Sequence, residues 1–501
     1  MAITLMQRSG QAARINFAQV IILLVAILLA VLFGLAVTVL PWALILGLLV
    51  GLLGLLAATF SPFAGVMLVL ALAFEIIPNF LQPRLPLFGG RLQLYDMLLI
   101  LLTVIVVLRL LANKKSIMAA LGPMVVPLVY VLICIAISLV YVRFFAPNGS
   151  LLSEGRTHIM WLLLPLLALT VETTNRLKWL VLLTCAMGFI IAVYVVLQSL
   201  LQIRIMSAAR VEMLDSTVNR DIIRSIAGGG VYLIVFTLFL TLNRAYDRRL
   251  RWWLAVPIGL ILLAGLAVQF GRGVWVATLV GLSVSALLHR GMYGLIRTVI
   301  SAVFIGGLLL SVASVWQPRL AEAVIDRAAG TFTEVESGGS FGWRRLENRE
   351  ALNQIERRPL TGVGIGGDYK NTVSTRGTFA IETTYIHNAY LYYPLKMGVH
   401  ATLVPFAFML GFALVCLQFV KRWGWGADRG LLAAVVGGFA VPVITSWTQP
   451  EWAAPQGIAA LCLLMTIGLL LSRLGPWTVT GPVKSHFGIG LARSASTQRV
   501  C

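Results

Sequence analysis

The chain is short of charge, and shorter still of acid. Only 12% of its 501 residues are Asp, Glu, Lys or Arg, about half the share of a soluble domain. Acids number 19 against 39 basic residues, with five histidines. The scattered carboxylates and imidazoles form no HExxH, no DxD and no metal-ligand triad, so metal-free chemistry without a cofactor is the expectation. A GxSxG nucleophile motif is missing too. The five cysteines, Cys134, Cys185, Cys416, Cys462 and Cys501, include no CxxC pair. Four lie in apolar runs and one is the last residue, which excludes a disulfide framework or zinc site as the organising device. Internal repeats, heptads and strand-type alternation are lacking as well.

What is present is hydrophobic helix. The sequence is 59% hydrophobic and its mean hydropathy is +0.92. Apolar runs of about 20 residues recur from end to end, the mark of an all-α polytopic membrane protein. The runs fall at 17–39, 41–60, 62–78, 94–112, 122–145, 157–172 and 176–202. They continue at 224–243, 252–270, 272–289, 293–316, 386–420, 428–448 and 456–474. That predicts about 12–14 transmembrane helices. The 386–420 run is long for one span and reads as a short helix plus a span, and 157–172 is short. The first run leads straight into more spans without a small-residue cleavage site, so it is read as a retained helix. Residues 1–474 then form one multispanning domain with a large loop, 317–385, inserted in it. That loop is expected to contain short helices, among them 341–357, which ends at Arg358-Pro359. The tail 475–501 is expected to be disordered.

A net charge of +20 in a soluble protein would point to nucleic acid, but no nucleic-acid motif is present and basic loops beside anionic lipid are the plainer reading. Both termini are placed in the cytoplasm. The cytoplasmic loops are then basic throughout, with Arg244, Arg248, Arg249 and Arg251, then Arg290 and Arg297, then Lys421, Arg422 and Arg429. The opposite face is also rich in base, and nearly all of it is Arg: Arg220, Arg224, Arg272, Arg344, Arg345 and others. Two readings stand. The arginines pair with the loop's own acids, or their planar forks bind phosphate oxygens, which Lys does only as a point charge.

The chemistry-bearing residues gather between Arg272 and Gly398. Arg272 sits in a Gly-Arg-Gly at a span edge, where it either anchors to lipid headgroups or binds an anionic substrate. Arg344 and Arg345 open the loop helix, where they form either an anion site or salt bridges to Glu347 or Glu350. His387 precedes Asn388, which can cap the helix that follows, among Tyr385, Tyr390, Tyr392 and Tyr393. It reads as a general base near neutral pH or as an interfacial hydrogen-bonding residue. The run GVGIGG at 362–367 follows no strand and lies in no βαβ unit, so it is a flexible turn and not a nucleotide loop.

The order of these parts resembles the O-antigen ligase and polymerase superfamily of bacterial membrane glycosyltransferases. The resemblance covers roughly 225–420 and rests on three stretches. They are GRGVWVA at 271–277, WRRLENREALNQIERRPLTGVGIGGDY from Trp343, and HNAYLYYPLKMG from His387. One departure is Asn348, which stands where the family helix often has Trp after its Arg. It leaves Arg344 and Arg345 as alternatives.

The resemblance implies an inverting, metal-independent transferase in the bacterial inner membrane with its site facing the periplasm. The donor would be a glycan on undecaprenyl diphosphate. The acceptor would be another glycan, a lipid A core or a protein, and other polysaccharide-assembly proteins would be partners. Arg272 and Arg344 (or Arg345) would hold the diphosphate. His387 would activate or position the acceptor hydroxyl, with Asn388, Arg224 and Arg220 in support. Polymerase and ligase would differ only in the acceptor. The rival reading is a lipid-linked-oligosaccharide flippase or other polysaccharide transporter, which predicts charges at mid-span and repeated halves. Glu75 and Asp96 lie near run ends and no repeat is visible.

Overall fold

A computed structural model describes residues 61–77, 82, 84–87, 90–113, 116–148, 150–201, 212–213, 223–224, 226–316, 318–337, 340–370, 384–424 and 428–475, with isolated positions between 51 and 60. The runs 17–39 and 41–60, the residue Arg220 and the tail lie outside these residues, apart from those isolated positions.

The helices are α1 (Pro62–Ala73), α2 (Leu94–Asn113), α3 (Val125–Phe145), α4 (Leu163–Thr170), α5 (Thr174–Leu201), α6 (Val231–Tyr246) and α7 (Trp252–Ala267). They continue with α8 (Arg272–Trp316), α9 (Pro318–Ser337), α10 (Ser340–Arg357), α11 (Ala389–Met397), α12 (Leu403–Trp423), α13 (Arg429–Thr445) and α14 (Pro455–Leu474). Short helical turns and two small hairpins, Arg84–Leu87 with Gly90–Gln93 and Glu212–Met213 with Ile223–Arg224, complete the described elements. Among the described residues, seven helical stretches are long and apolar enough to cross a membrane, and the shorter apolar helices α1, α7 and α13 join them. The protein is an all-α polytopic membrane protein.

Each predicted span from residue 62 onward has a helical counterpart, with two adjustments. The runs 272–289 and 293–316 remain distinct: α8 is two helical segments meeting at Gly291, whose non-helical φ of 67° and ψ of −156° break the ladder between them. The run 386–420 is the short α11 followed by α12. The short run 157–172 begins as a 3-10 helix, Arg156–Leu162, before α4. The loop is more regular than expected, because α9 and α10 are 20 and 18 residues long.

Two helices form the centre. In α14 every residue from Gly457 to Ser472 is buried, and α6 is buried from Val231 through Thr241. A helix apolar on all sides has no preferred outer face and belongs inside the bundle. The peripheral α8 instead exposes Val303, Phe304, Val312 and Val315, as a lipid-facing surface must. Trp161 stacks on Phe408 at 4.3 Å and on Trp452 at 6.1 Å, tying α12 and the turn before α14 together.

α8 and α13 meet backbone to backbone. A Cβ on Gly281 would lie 2.7 Å from the Gly437 carbonyl oxygen, and one on Gly437 only 2.5 Å from that of Gly281. Among apolar surroundings such close approach supplies the association energy that the hydrophobic effect does not.

The helix ends sort into two sets. At one end Ala227 N donates to Gln269 (3.4 Å), Gly229 N to Gln456 (3.2 Å) and Ala389 N to the Ser446 carbonyl (2.9 Å). At the other, Asn243 donates to the Gly430 carbonyl (2.8 Å), His289 pairs with Asp247 (3.0 Å) and Arg244 with Asp428 (2.9 Å). The second set holds the loops assigned above to the cytoplasm, and the first holds Arg272 and His387.

Replacing Gly281 by Leu is expected to force α8 from α13 and to abolish the folded protein. Folded yield in detergent, read by size-exclusion chromatography, checks this, and a native-like yield would contradict it.

Candidate active site

The site is built on one face of α10. The helical repeat places Trp343, Arg344, Glu347 and Ala351 together. Ala351 is fully buried and Glu347 is 3% exposed, whereas Arg345 and Arg349 face solvent. Arg344 is half-buried on the Glu347 side. Helix phase thus separates the two arginines that sequence left as alternatives, and Arg344 is the one turned toward the site.

Glu347 is held from two sides. One carboxylate oxygen lies 2.7 Å from His387 Nδ1 and 3.4 Å from the His387 backbone N–H. The other accepts from Lys370 Nζ at 2.7 Å. Burial pushes this carboxyl up, but the hydrogen bonds and charges of His387 and Lys370 outweigh it and hold Glu347 below the usual carboxylate range. The Tyr385 ring meets His387 edge-on at 4.8 Å. Lys370 also lies over the rings of Tyr369 (5.5 Å) and Trp343 (5.9 Å). The Tyr369 hydroxyl donates to the Tyr385 carbonyl at 2.8 Å, which closes the arrangement around the imidazole.

The glycine run fixes α10 and Lys370 against α11. It is not the flexible turn expected from sequence, because residues 362–367 are all buried. Gly362, Gly364 and Gly366 have φ of 61°, 84° and 77°, a region that side chains disfavour. A Cβ on Gly362 would sit 2.3 Å from the Leu395 carbonyl oxygen, and one on Gly366 2.5 Å from Asn148 Oδ1. Val363 N donates to the Leu395 carbonyl and Val399 N to the Pro359 carbonyl, both at 2.7 Å. Lys396, fully buried, donates to the Gly367 carbonyl (2.7 Å) and to Glu154 (3.2 Å), which also accepts from Gly366 N at 2.6 Å.

α11 is anchored in turn. Asn388 caps it as expected, its Oδ1 accepting from Tyr390 N at 3.0 Å and Leu391 N at 3.4 Å. The Tyr390 hydroxyl donates to the Val443 carbonyl (2.8 Å), Tyr393 to Trp452 (2.7 Å), and Tyr392 pairs with His158 (2.9 Å). These tyrosines point their hydroxyls into the bundle, so of the aromatics singled out in the sequence only Tyr385 lies against His387.

Arg272 starts α8 and is half-buried. The turn at 446–448 links its segment to that of His387. A Cβ on Gly273 would lie 3.1 Å from Thr448 Oγ1, and the Ser446 carbonyl accepts from Ala389 N. α9 covers the same corner: Ala323 and Val324 pack on Phe270 and Trp275, and Arg327 Nε donates to the Phe270 carbonyl at 3.4 Å. Packed pairs α8–α9, α9–α10 and α10–α11 therefore run from Arg272 to His387. Arg224 closes the small hairpin just before α6, at this same end of the bundle.

Sequence reading undervalued Glu347, taking it as a salt-bridge partner for the arginines, and gave Lys370 no role. Its signal was faint: Lys370 is a lysine in a loop that otherwise uses Arg. Glu451 was missed entirely. It is buried in the turn before α14, and burial pushes it up to about 7.

Residues 257–406 match the family model described as Wzy_C, O-Antigen ligase. The match supports the O-antigen ligase superfamily and spans Arg272, α9, α10, the glycine turn and His387. No curated protein matches the chain.

Because Glu347 titrates lower in the folded protein, the stability it contributes is present above the ordinary glutamate value, about 4.3, and is lost as pH falls through the lower folded value. Acidification through that window is expected to loosen α10 from α11, raising protease cleavage at Arg344 and Arg345. In Glu347→Gln that acid-dependent component should be missing. An unchanged acid profile in the variant would contradict the assignment.

Proposed function

We propose that this chain, with its O-antigen ligase domain, is an inverting, metal-independent glycosyltransferase of the bacterial inner membrane. It moves a glycan from undecaprenyl diphosphate to an acceptor hydroxyl at the periplasmic face, as a polymerase of O-antigen or exopolysaccharide repeat units or as an O-antigen ligase. The end holding His387 faces the periplasm, and the basic loops around Arg244, Arg290 and Arg429 face the cytoplasm, as the distribution of Lys favours.

The observation that carries this reading is the 2.7 Å contact between His387 Nδ1 and Glu347. In a neutral ring it puts the proton on Nδ1 and the lone pair on Nε2, the nitrogen that then meets the acceptor. A sugar hydroxyl is a weak nucleophile and needs a base or a strong positioning contact. As its oxygen bonds to the anomeric carbon from the side opposite the diphosphate, its proton passes to Nε2. The bond to the diphosphate oxygen breaks and the diphosphate leaves with the electron pair. Displacement from the opposite side inverts the anomeric centre.

The leaving diphosphate gains charge, which preorganised cations stabilise. Arg272, at the N-terminus of the long α8, and Arg344, on the Glu347 side of α10, supply bidentate forks. Asn388 supports His387 through the cap it makes, and Arg224 adds a cation at the same end; Arg220, outside the described residues, keeps the supporting role that the resemblance implies. Polymerase and ligase share these steps and differ in what brings the hydroxyl: a second lipid-linked repeat unit, a lipid A core or a protein.

Alanine at His387, Arg272 or Arg344 is expected to lower transfer on the order of a hundredfold or more, whereas Arg345→Ala leaves it near native. Glycan length or attachment in cells, with expression matched by immunoblot, reads this. Normal polysaccharide from His387→Ala and Arg272→Ala would end the assignment. Proteoliposomes given only lipid-diphosphate-linked repeat unit separate the two activities. Chain growth there identifies a polymerase, and growth that awaits a lipid A core or protein identifies a ligase.

A further inference from the structure

Glu347 satisfies His387, yet a second cation, Lys370, is also buried on it. The lysine side chain is 8% exposed and its Nζ lies 2.7 Å from the carboxylate oxygen that His387 does not use. Stability alone does not call for this. Desolvating an ammonium is costly, and apolar replacements of buried ion pairs are often neutral or stabilising. The requirement is clearer from the imidazole's side. A buried carboxylate whose only partner is a histidine ring favours the ring's charged form. A ring already carrying both protons cannot take one from a hydroxyl.

We infer that Lys370 is a positioning residue that acts through Glu347, neutralising the carboxylate so that His387 can be oriented by it and still accept a proton. The inference rests on the role proposed for His387. Glu347 then has two separable functions. Its geometry fixes which ring nitrogen carries the proton, and its charge is answered by Lys370 and not by the ring. The depressed titration of Glu347 agrees with two cationic or donating partners sharing one carboxylate.

Other titratable groups on the packed elements are Arg344 and Glu350 on α10, and Asp368 and Tyr369 beside Lys370. Tyr385 lies on the ring itself, and Glu451 sits in the turn before α14. Among the described residues, Lys370 and His387 are the ones that hold the oxygens of the Glu347 carboxylate. The glycine turn holds Lys370 in reach: Gly367 is tied to Lys396, and Tyr369 to Tyr385.

The test is the pH dependence of kcat/KM in proteoliposomes with lipid-diphosphate-linked glycan as donor. Lys370→Met leaves a carboxylate with the ring as its sole side-chain partner. Its acid limb should move up by about one pH unit, so that activity falls about tenfold on the acid side of the limb, less near neutral pH, and recovers in alkali. KM for the donor should stay near native. The double variant Glu347→Gln with Lys370→Met removes both charges, and its limb should return to the native position or below. A limb in Lys370→Met that superimposes on the native one, or a uniform fall at every pH, overturns the inference. If Lys370→Met does not fold, Lys370→Gln removes the same charge with a polar side chain. His387→Ala run alongside separates the failures. If it retains activity, the role of His387 falls. If it is inactive while Lys370→Met keeps the native limb, only the inference about Lys370 falls.

Discussion

A single buried carboxylate organises this protein's polar end. Glu347 is nearly enclosed, and an enclosed carboxylate must be met by donors or by cations. It is met by both, His387 on one oxygen and Lys370 on the other. Both lie beyond the glycine turn, Lys370 just after it and His387 just before α11. Satisfying Glu347 therefore requires the loop helix α10, the turn and the start of α11 to be placed together. Remove the carboxylate and the hydrogen bond that fixes which ring nitrogen carries the proton is lost.

The rest of the bundle keeps that triad from drifting. The glycine turn threads between α3 and α11 at distances that exclude any side chain, and Lys396 with Glu154 closes it from beneath. Tyrosine hydroxyls from α11 reach Val443, Trp452 and His158, three different parts of the bundle. The turn at 446–448 then couples α11 to the first residues of α8. A membrane interior cannot satisfy loose backbone groups, so the irregular stretches near it are fastened by specific bonds.

From residue 62 onward helices were legible in the sequence wherever an apolar run had the length to span a membrane, and α10 was legible from its own periodicity and the proline that ends it. The Asn388 cap followed from one residue type in one place. The break at Gly291 fell between two apolar runs that were already separate in the sequence, because glycine there adopts a backbone conformation that no helix continues through. The glycine turn, by contrast, was misjudged. Glycine supports flexibility or close approach equally well, and only the distance to a partner carbonyl distinguishes them. Arg344 and Arg345 became distinct once the phase of α10 was set by the burial of Glu347 and Ala351. The pairing of Glu347 with Lys370 and His387 joins residues 23 and 40 positions away, a relation no local pattern encodes.

The central claim is that this end of the bundle displaces a lipid diphosphate by a hydroxyl, with protein groups alone as the catalysts. The most direct measurement is the anomeric configuration of the bond formed by purified protein in proteoliposomes, in the presence of a chelator. The account predicts a product of inverted configuration, made at an undiminished rate without divalent cations. A product of retained configuration, or transfer that stops when the chelator is added, would contradict it.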